Sequence, residues 1–195
     1  MKTIICNRGY IINKNELEQK EINKIKKELT VKPFSINNNF FSVKEFKIYL
    51  ENKNQICIPK YYGIKNYGNP EFNNLELGED IKIDFNGNLR DYQKKILDIF
   101  IPKFTYNKGG LLCIPPGKGK TVLAIYILSL LKKKTLIIVH KSFLLNQWRK
   151  RLEQYAPSAK IGIIQQNKIE CEGNDIVIAM LHSITLRNYD IDYEE

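Results

Sequence analysis

Between residues 89 and 187 the apolar positions fall into short blocks whose spacing switches between the period of a helix and that of a buried strand. Leu89, Tyr92, Ile96, Leu97 and Phe100 share one face of a predicted helix over 89–101, with Asn88 as its cap and Pro102 marking its end. A buried strand is predicted over 110–114, a helix over 119–131, a strand over 135–139 and a helix over 142–155 that stops before Pro157. Strands over 161–164 and 175–179 and a short helix over 181–187 complete the series. Helices alternating with continuously apolar strands predict an α/β unit, a parallel sheet covered on both faces with its ligand site at the strands' carboxyl ends.

The preceding stretch reads differently. Segments 3–6 and 10–12 flank Asn7-Arg8-Gly9 as a hairpin, and 15–29 is a charged helix with Leu17, Ile22, Ile25 and Leu29 on one side. Segments 43–50 and 55–58 pair across Asn52-Lys53-Asn54, Pro59 opens a short helix through Lys65, and 66–78, rich in Asn and Gly, reads as a linker. The predicted organisation is a small α+β N-terminal module over 1–78, to which no chemistry is assigned, and an α/β unit over 79–195.

Composition narrows the class. The 195 residues are 43% hydrophobic and 27% charged, which suits a folded chain and is too short for a complete two-lobed motor. Net charge is +10, of which residues 89–195 carry +7, so a polyanion is the indicated partner of that half. The excess of 26 Lys over 5 Arg, with 29 Ile and 20 Asn, discounts part of this signal as drift in codon usage. Cys6, Cys57, Cys113 and Cys171 show no C-x-x-C spacing, which argues against a zinc knuckle or a disulfide framework and suits a reducing, intracellular setting. The longest apolar run, 122–131, is half of a membrane span of ~20 residues, so no membrane partner is expected.

Candidate chemistry begins at Pro115-Pro116-Gly117-Lys118-Gly119-Lys120-Thr121, between a predicted strand and a predicted helix. Glycines there let backbone N–H groups face phosphate oxygens, and the following helix adds the partial positive charge of its N-terminus. Lys120 would reach the β- and γ-phosphates, and Thr121 would place its hydroxyl on Mg²⁺. The first Gly of G-x-x-x-x-G-K-[ST] is replaced by Ile114. A GTPase is disfavoured, because the D-x-x-G at 84–87 precedes the loop and Asn167-Lys168-Ile169-Glu170 ends in the wrong residue for guanine. Gln93, 27 residues before Lys120, carries an amide that can both donate to and accept from an adenine edge, with Arg90 and Tyr92 near the base.

Arg90-Asp91-Tyr92-Gln93 resembles the Q-type motif of superfamily 2 DEAD/DEAH-like helicases, Pro115 to Thr121 their motif I, and 136–148 their motif Ia with its following helix. Asp175 to Ile184 resembles motif Ic. The wording V-H-K-x-F-L-x-N-Q-W, then A-K-I-G-x-I-Q and D-I-V-I-A-M-L, is most similar to helicases of large DNA viruses and, more distantly, to XPB-type helicases. The resemblance covers about residues 80–190 and implies a P-loop RecA-like parallel sheet, the incomplete first lobe of a helicase. It implies ATP and Mg²⁺ held by Arg90, Tyr92, Gln93 and the loop residues Pro116, Gly117, Lys118, Gly119, Lys120 and Thr121. It also implies that His140, Lys141, Ser142, Met180, Leu181 and His182 approach the backbone of DNA, or of RNA. Many relatives have Pro-Thr at 140–141 and Thr at 179–180, so Lys141 and backbone amides would replace hydroxyl contacts here. His140 and His182, taken singly, fit a partly buried or surface histidine equally well. Trp148 is assigned to helix–sheet core rather than to base stacking, and Lys132-Lys133-Lys134 to a solvated helix C-terminus.

Helicase chemistry needs an acidic pair at a strand end, and the chain contains no Asp-Glu dipeptide. It therefore looks like the front of a motor whose partner is the remainder of the chain or its second RecA-like lobe, in a virion, viral factory or cytoplasm. The alternatives are a stand-alone, catalytically inactive module that binds ATP and nucleic acid, and a P-loop phosphotransferase.

Overall fold

The computed structural model describes residues 2–32, 45–107 and 109–186. The chain divides into two units, Met1–Leu77 and Gly78–Glu195.

In the first unit β1 (Thr3–Cys6) and β2 (Gly9–Asn13) form the predicted hairpin, with Ile5 opposite Tyr10. A single 3-10 turn, Lys14–Glu16, precedes α1 (Gln19–Glu28), so the predicted helix is shorter at its start. Two-residue strands β3 (Thr30–Val31) and β4 (Phe46–Lys47) pair with each other. β5 (Leu50–Glu51) pairs with β6 (Gln55–Ile58), so only the end of predicted segment 43–50 joins this pairing, and residues 43 and 44 lie outside the described residues. α2 (Lys60–Tyr67) follows Pro59, and β7 (Phe72–Asn73) pairs in parallel with β1. The predicted linker is thus partly an edge strand, giving the order β5-β6-β2-β1-β7. Tyr10 faces Ile58 and Ile12 faces Ile56 across neighbouring strands, and all four are buried with Ile22 and Ile25 of α1. α2 approaches this core so closely that a Cβ at Gly63 would lie 2.3 Å from the Tyr10 ring.

The second unit opens with α3 (Asp91–Asn107). It starts later than predicted, with the Arg90 carbonyl rather than Asn88 at its mouth, accepting from the Gln93 and Lys94 N–H groups at 2.9 and 3.1 Å. It also runs through Pro102 instead of stopping there. The missing N–H at Pro102 removes one helix bond. The apolar stripe nevertheless continues, with the Phe100 and Phe104 rings 5.6 Å apart. α4 (Lys120–Leu131), β8 (Thr135–Val139), α5 (Ser142–Tyr155), β9 (Ile161–Gln165), β11 (Ile176–Met180) and α6 (Leu181–Thr185) follow the apolar pattern closely. Residue 187, the end of the predicted last helix, lies outside the described residues. The hairpin strand β10 (Lys168–Ile169) is an addition.

The sheet order is β10-β9-β11-β8, parallel except for β10. Ile137, Val139, Ile163, Ile176 and Ile178 pack beneath α4 and α5. On the other face α6 covers β9 and β11, with Ile184 against Ile164, Val177 and Ala179. β8 departs from the expected two-sided cover, since Leu136 and Ile138 are each more than half exposed. Segment 110–114 is also not a strand. Leu112 and Ile114 turn inward to Leu97, Leu123 and Ile127 while Leu111 is 90% exposed. It has the alternation of a strand without a described neighbour to complete a ladder.

Lys132 ends α4 in the left-handed region, and the next two lysines are not simply solvated. Lys133 pairs with Asp80 at 2.7 Å and Lys134 with Glu79 at 2.9 Å, fixing residues 79–80 beside the helix end. Among the described residues no helix is long and apolar enough to cross a membrane, and all four cysteines are free thiols.

Candidate nucleotide-binding site

The loop before α4 turns on two glycines in the left-handed region, Gly117 (φ 77°) and Gly119 (φ 75°). A Cβ at Gly117 would meet nothing within 4 Å, so backbone conformation alone favours glycine there. At Gly119 a Cβ would lie 2.6 Å from Gln93 Nε2, so a side chain there would also displace that amide. Gly119 is the cap residue of α4 and no side chain caps that helix, which leaves first-turn N–H groups and the positive end of the dipole available to an anion. Lys120 curls back onto its own loop, its Nζ donating to the Ile114 and Pro115 carbonyls at 2.7 and 3.1 Å.

Tyr92 and Gln93 contact this loop, and Arg90 lines the same cavity as it. Gln93 is 4% exposed, its Oε1 accepts from the Arg90 N–H at 2.9 Å, and its Nε2 donates to the Lys118 carbonyl at 3.3 Å. The first contact is the returning half of a capping box at the start of α3, and the second braces the phosphate loop. Each end of the amide thus makes one hydrogen bond to backbone. Tyr92 reinforces the brace, its hydroxyl donating to the same carbonyl at 3.2 Å while Lys118 Nζ sits 5.4 Å from its ring centre. Arg90 Nη1 reaches the Tyr92 hydroxyl at 3.4 Å.

These residues border a cavity of about 650 Å³, floored by Pro116, Gly117, Gly119, Lys120 and Thr121. Three cations line it, Arg90, Lys120 and Arg151, and no carboxylate does. The charge and the open helix end together suit a polyphosphate. Among the described residues no group of three or more His, Cys, Asp or Glu could hold a metal ion. Lys118, predicted among the binding residues, does not line the cavity.

One further part of the lining was not legible in the motifs. It is a stripe of α5, Leu144, Gln147, Trp148, Arg151 and Tyr155, at the i, i+3, i+4, i+7 and i+11 positions of one helix face. Trp148 also packs against the main core, as its assignment predicted. The signal was the two polar side chains, Gln147 and Arg151, set among apolar residues of that stripe.

The predicted nucleic-acid residues gather elsewhere, outside the lining of this cavity. β8 and β11 are adjacent and parallel with Val139 opposite Met180, so His140, Lys141 and Ser142 stand beside Met180, Leu181 and His182 at the carboxyl edge. His140, Lys141, Ser142, Leu181 and His182 are exposed, and Met180 is half-buried. Ser183 fixes the neighbouring turn, its hydroxyl accepting from the Gln166 N–H at 2.9 Å.

Comparisons with known proteins bear on the whole second unit. A protein of Acanthamoeba polyphaga mimivirus, provisionally named an ATP-dependent RNA helicase, is 38% identical over 195 residues, 97% of this chain and 37% of that one. A protein of Invertebrate iridescent virus 3, provisionally named a helicase, is 28% identical over 82% of this chain and 52% of its own length. A DNA 3′–5′ translocase of the XPB type from Sulfurisphaera tokodaii is 37% identical over 67 residues, 34% of this chain and 14% of that one. The chain thus spans between about a seventh and a half of the length of these relatives. Among solved structures, the Sulfolobus solfataricus SWI2/SNF2 ATPase core in complex with dsDNA matches 58% of this chain and 25% of its own at 28% identity and a TM-score of 0.44. Residues 86–195, more than half of the chain and all of the site just described, match the family of the type III restriction enzyme res subunit, and the chain belongs to that family of helicase domains.

Proposed function

We propose that this chain is the N-terminal portion of an ATP-dependent superfamily 2 helicase, with a RecA-like nucleotide-binding lobe after a small N-terminal module. ATP binds in the cationic cavity, its phosphates on the first turn of α4 and on Lys120. The observation that carries this reading is the uncapped start of α4, reached through two left-handed glycines, opening into a cavity that holds three cations and no carboxylate. On binding, the Lys120 ammonium exchanges the Ile114 and Pro115 carbonyls for phosphate oxygens, a short swing since those carbonyls belong to the same loop. Mg²⁺ bound with the nucleotide, and held in part by the Thr121 hydroxyl, supplies charge neutralisation at the phosphates. The carboxyl edge of β8 and β11 receives a nucleic-acid backbone, with Lys141 as the cation and Ser142 and the first turn of α5 as donors. DNA is the favoured track, and RNA the alternative that the mimivirus relative's name suggests.

Turnover requires an acidic pair that this chain does not contain, so the 195 residues are expected to bind Mg-ATP without hydrolysing it. Titration calorimetry of the chain with Mg-ATP tests the reading. Lys120→Ala should weaken binding by at least about tenfold, the loss of a charge-assisted phosphate contact. No binding by the unaltered chain, or binding indifferent to Lys120, would overturn it.

A further inference from the structure

The first unit carries 13 basic and 8 acidic side chains, and so +5 of the chain's +10. Its helix α1 sorts its charges by sign. Ile22 and Ile25 turn α1 onto the sheet. Both of its carboxylates face α2, where Glu28 Oε2 accepts from the Tyr62 hydroxyl at 2.6 Å and Glu21 is hydrogen-bonded to Tyr67. Lys26, on the other flank, pairs with Glu51 of β5 at 2.8 Å. What remains outward is Lys20, Asn23, Lys24 and Lys27, all exposed and spaced for one helix face. Gln19 Nε2 donates to Asn23 Oδ1 at 3.1 Å, so an amide pair stands beside the lysines. Glu18 precedes the first turn, at the end remote from Lys24 and Lys27. Among the described residues Lys20, Lys24 and Lys27 form no ion pair.

We infer that this face of α1 binds the phosphate backbone of a nucleic acid, which gives the N-terminal module a contact of its own. It shares its ligand, and none of its residues, with the carboxyl edge of β8 and β11. A rise of about 1.5 Å per residue spreads the three ammonium groups over about 10 Å of helix axis. One strand of a duplex presents a phosphate about every 3.4 Å of its axis, so each lysine can neutralise a separate phosphate. The Gln19 and Asn23 amides add donors of the kind that contact phosphate and sugar without reading sequence. Codon drift can raise the number of lysines, but it does not turn both carboxylates of the helix toward α2. A lipid surface fits less well, because α1 buries its apolar face in the module's own core and has none left for acyl chains. A protein partner would want an apolar centre to the patch, and this face has only lysine and amide side chains.

Fluorescence anisotropy of labelled DNA and RNA duplexes with the 195-residue chain, between about 50 and 200 mM salt, tests the assignment. On the duplex that binds more tightly, Lys20→Ala, Lys24→Ala and Lys27→Ala combined should weaken binding at least about tenfold. On DNA they should also flatten the slope of log affinity against log salt by up to about 2.7, three contacts at about 0.9 each. Alanine is the best helix former, so the unfolding midpoint should hold. A charge-matched chain with Lys53→Ala, Lys95→Ala and Lys103→Ala, exposed lysines outside this face, should lose less than about threefold, since salt screens distant charge. Losses in the α1 variant equal to those of the charge-matched chain would overturn the α1 assignment, and a weakening by Lys141→Ala beside them would leave the carboxyl edge standing. Loss in the α1 variant with none in Lys141→Ala would uphold α1 and overturn the carboxyl edge instead. An unaltered chain that binds neither duplex, whether or not it binds phosphatidylserine vesicles, would overturn both.

Discussion

A side chain at Gly119 would meet two obstacles, a φ of 75° and the Gln93 amide nitrogen 2.6 Å from the new Cβ. At Gly117 only the first applies, since nothing lies within 4 Å. Alanine in the left-handed region costs about 1–2 kcal/mol, and displacing Gln93 adds the loss of its buried hydrogen bonds, about 1–3 kcal/mol more. Gly119→Ala should therefore destabilise the second unit more than Gly117→Ala by roughly the second amount, measured by denaturant unfolding. Equal losses would mean that the brace between Gln93 and Lys118 contributes nothing. The loop itself was legible, because P-G-K-G-K-T is a local signal whose conformation depends on its own glycines. Gln147 and Arg151 were not, because their place beside the loop depends on how α5 is rotated against the sheet, which no short motif encodes. The place of Gln93 beside the loop was legible, and its two backbone partners were not. Its spacing from Lys120 brings it to the loop, while its bonds to Arg90 and Lys118 depend on how α3 packs against that loop.

Glu51 shows the same dependence on neighbours one level up. It sits on the two-residue strand β5 and accepts from Lys14, just after β2, and from Lys26 of α1 at 2.8 Å, joining three elements of the first unit. Those two side-chain hydrogen bonds hold its carboxyl below its ordinary value, against a smaller opposing effect of burial. A carboxylate depressed in the folded state stabilises above its unfolded pKa, near 4.5, and loses that contribution as pH falls through the folded value. Glu51→Gln should thus cost the first unit up to about 1 kcal/mol at pH 7, the scale of a part-exposed pair, with the difference shrinking below pH ~4.5. A difference that persists unchanged at pH 3 would show that packing, not charge, is responsible. Long elements with a full apolar face, α4, α5, β8 and β11, were predicted nearly to their ends because their own periodicity specifies them. β7 and β10 were missed because two residues carry no period, and each exists only through the strand beside it. Segment 110–114 failed in the opposite direction, having strand periodicity and no described ladder partner. Pro102 misled because an apolar stripe outweighed one missing helix bond.

At the scale of the molecule, the apolar residues buried in each unit are its own. Tyr10, Ile12, Ile25, Ile56 and Ile58 belong to one core, and Ile125, Leu152, Ile176 and Ile178 to another. Every residue lining the proposed nucleotide cleft, from Asn88 to Tyr155, lies in the second unit. Ligand that binds only the folded form of one unit stabilises that unit by RT ln(1 + [L]/Kd), about 2.7 kcal/mol at a hundredfold excess over Kd. Calorimetric unfolding should accordingly show two transitions, of which Mg-ATP raises one. Ile25→Ala, which empties a fully buried position in the first core, should lower the other by about 2–5 kcal/mol and leave nucleotide affinity unchanged. If Mg-ATP raised both transitions equally, or if Ile25→Ala weakened nucleotide binding, the units would be energetically coupled and the first would have to be counted as part of the site. Two separate responses would instead make the N-terminal module a passenger in nucleotide binding, and would direct the search for its role away from the nucleotide.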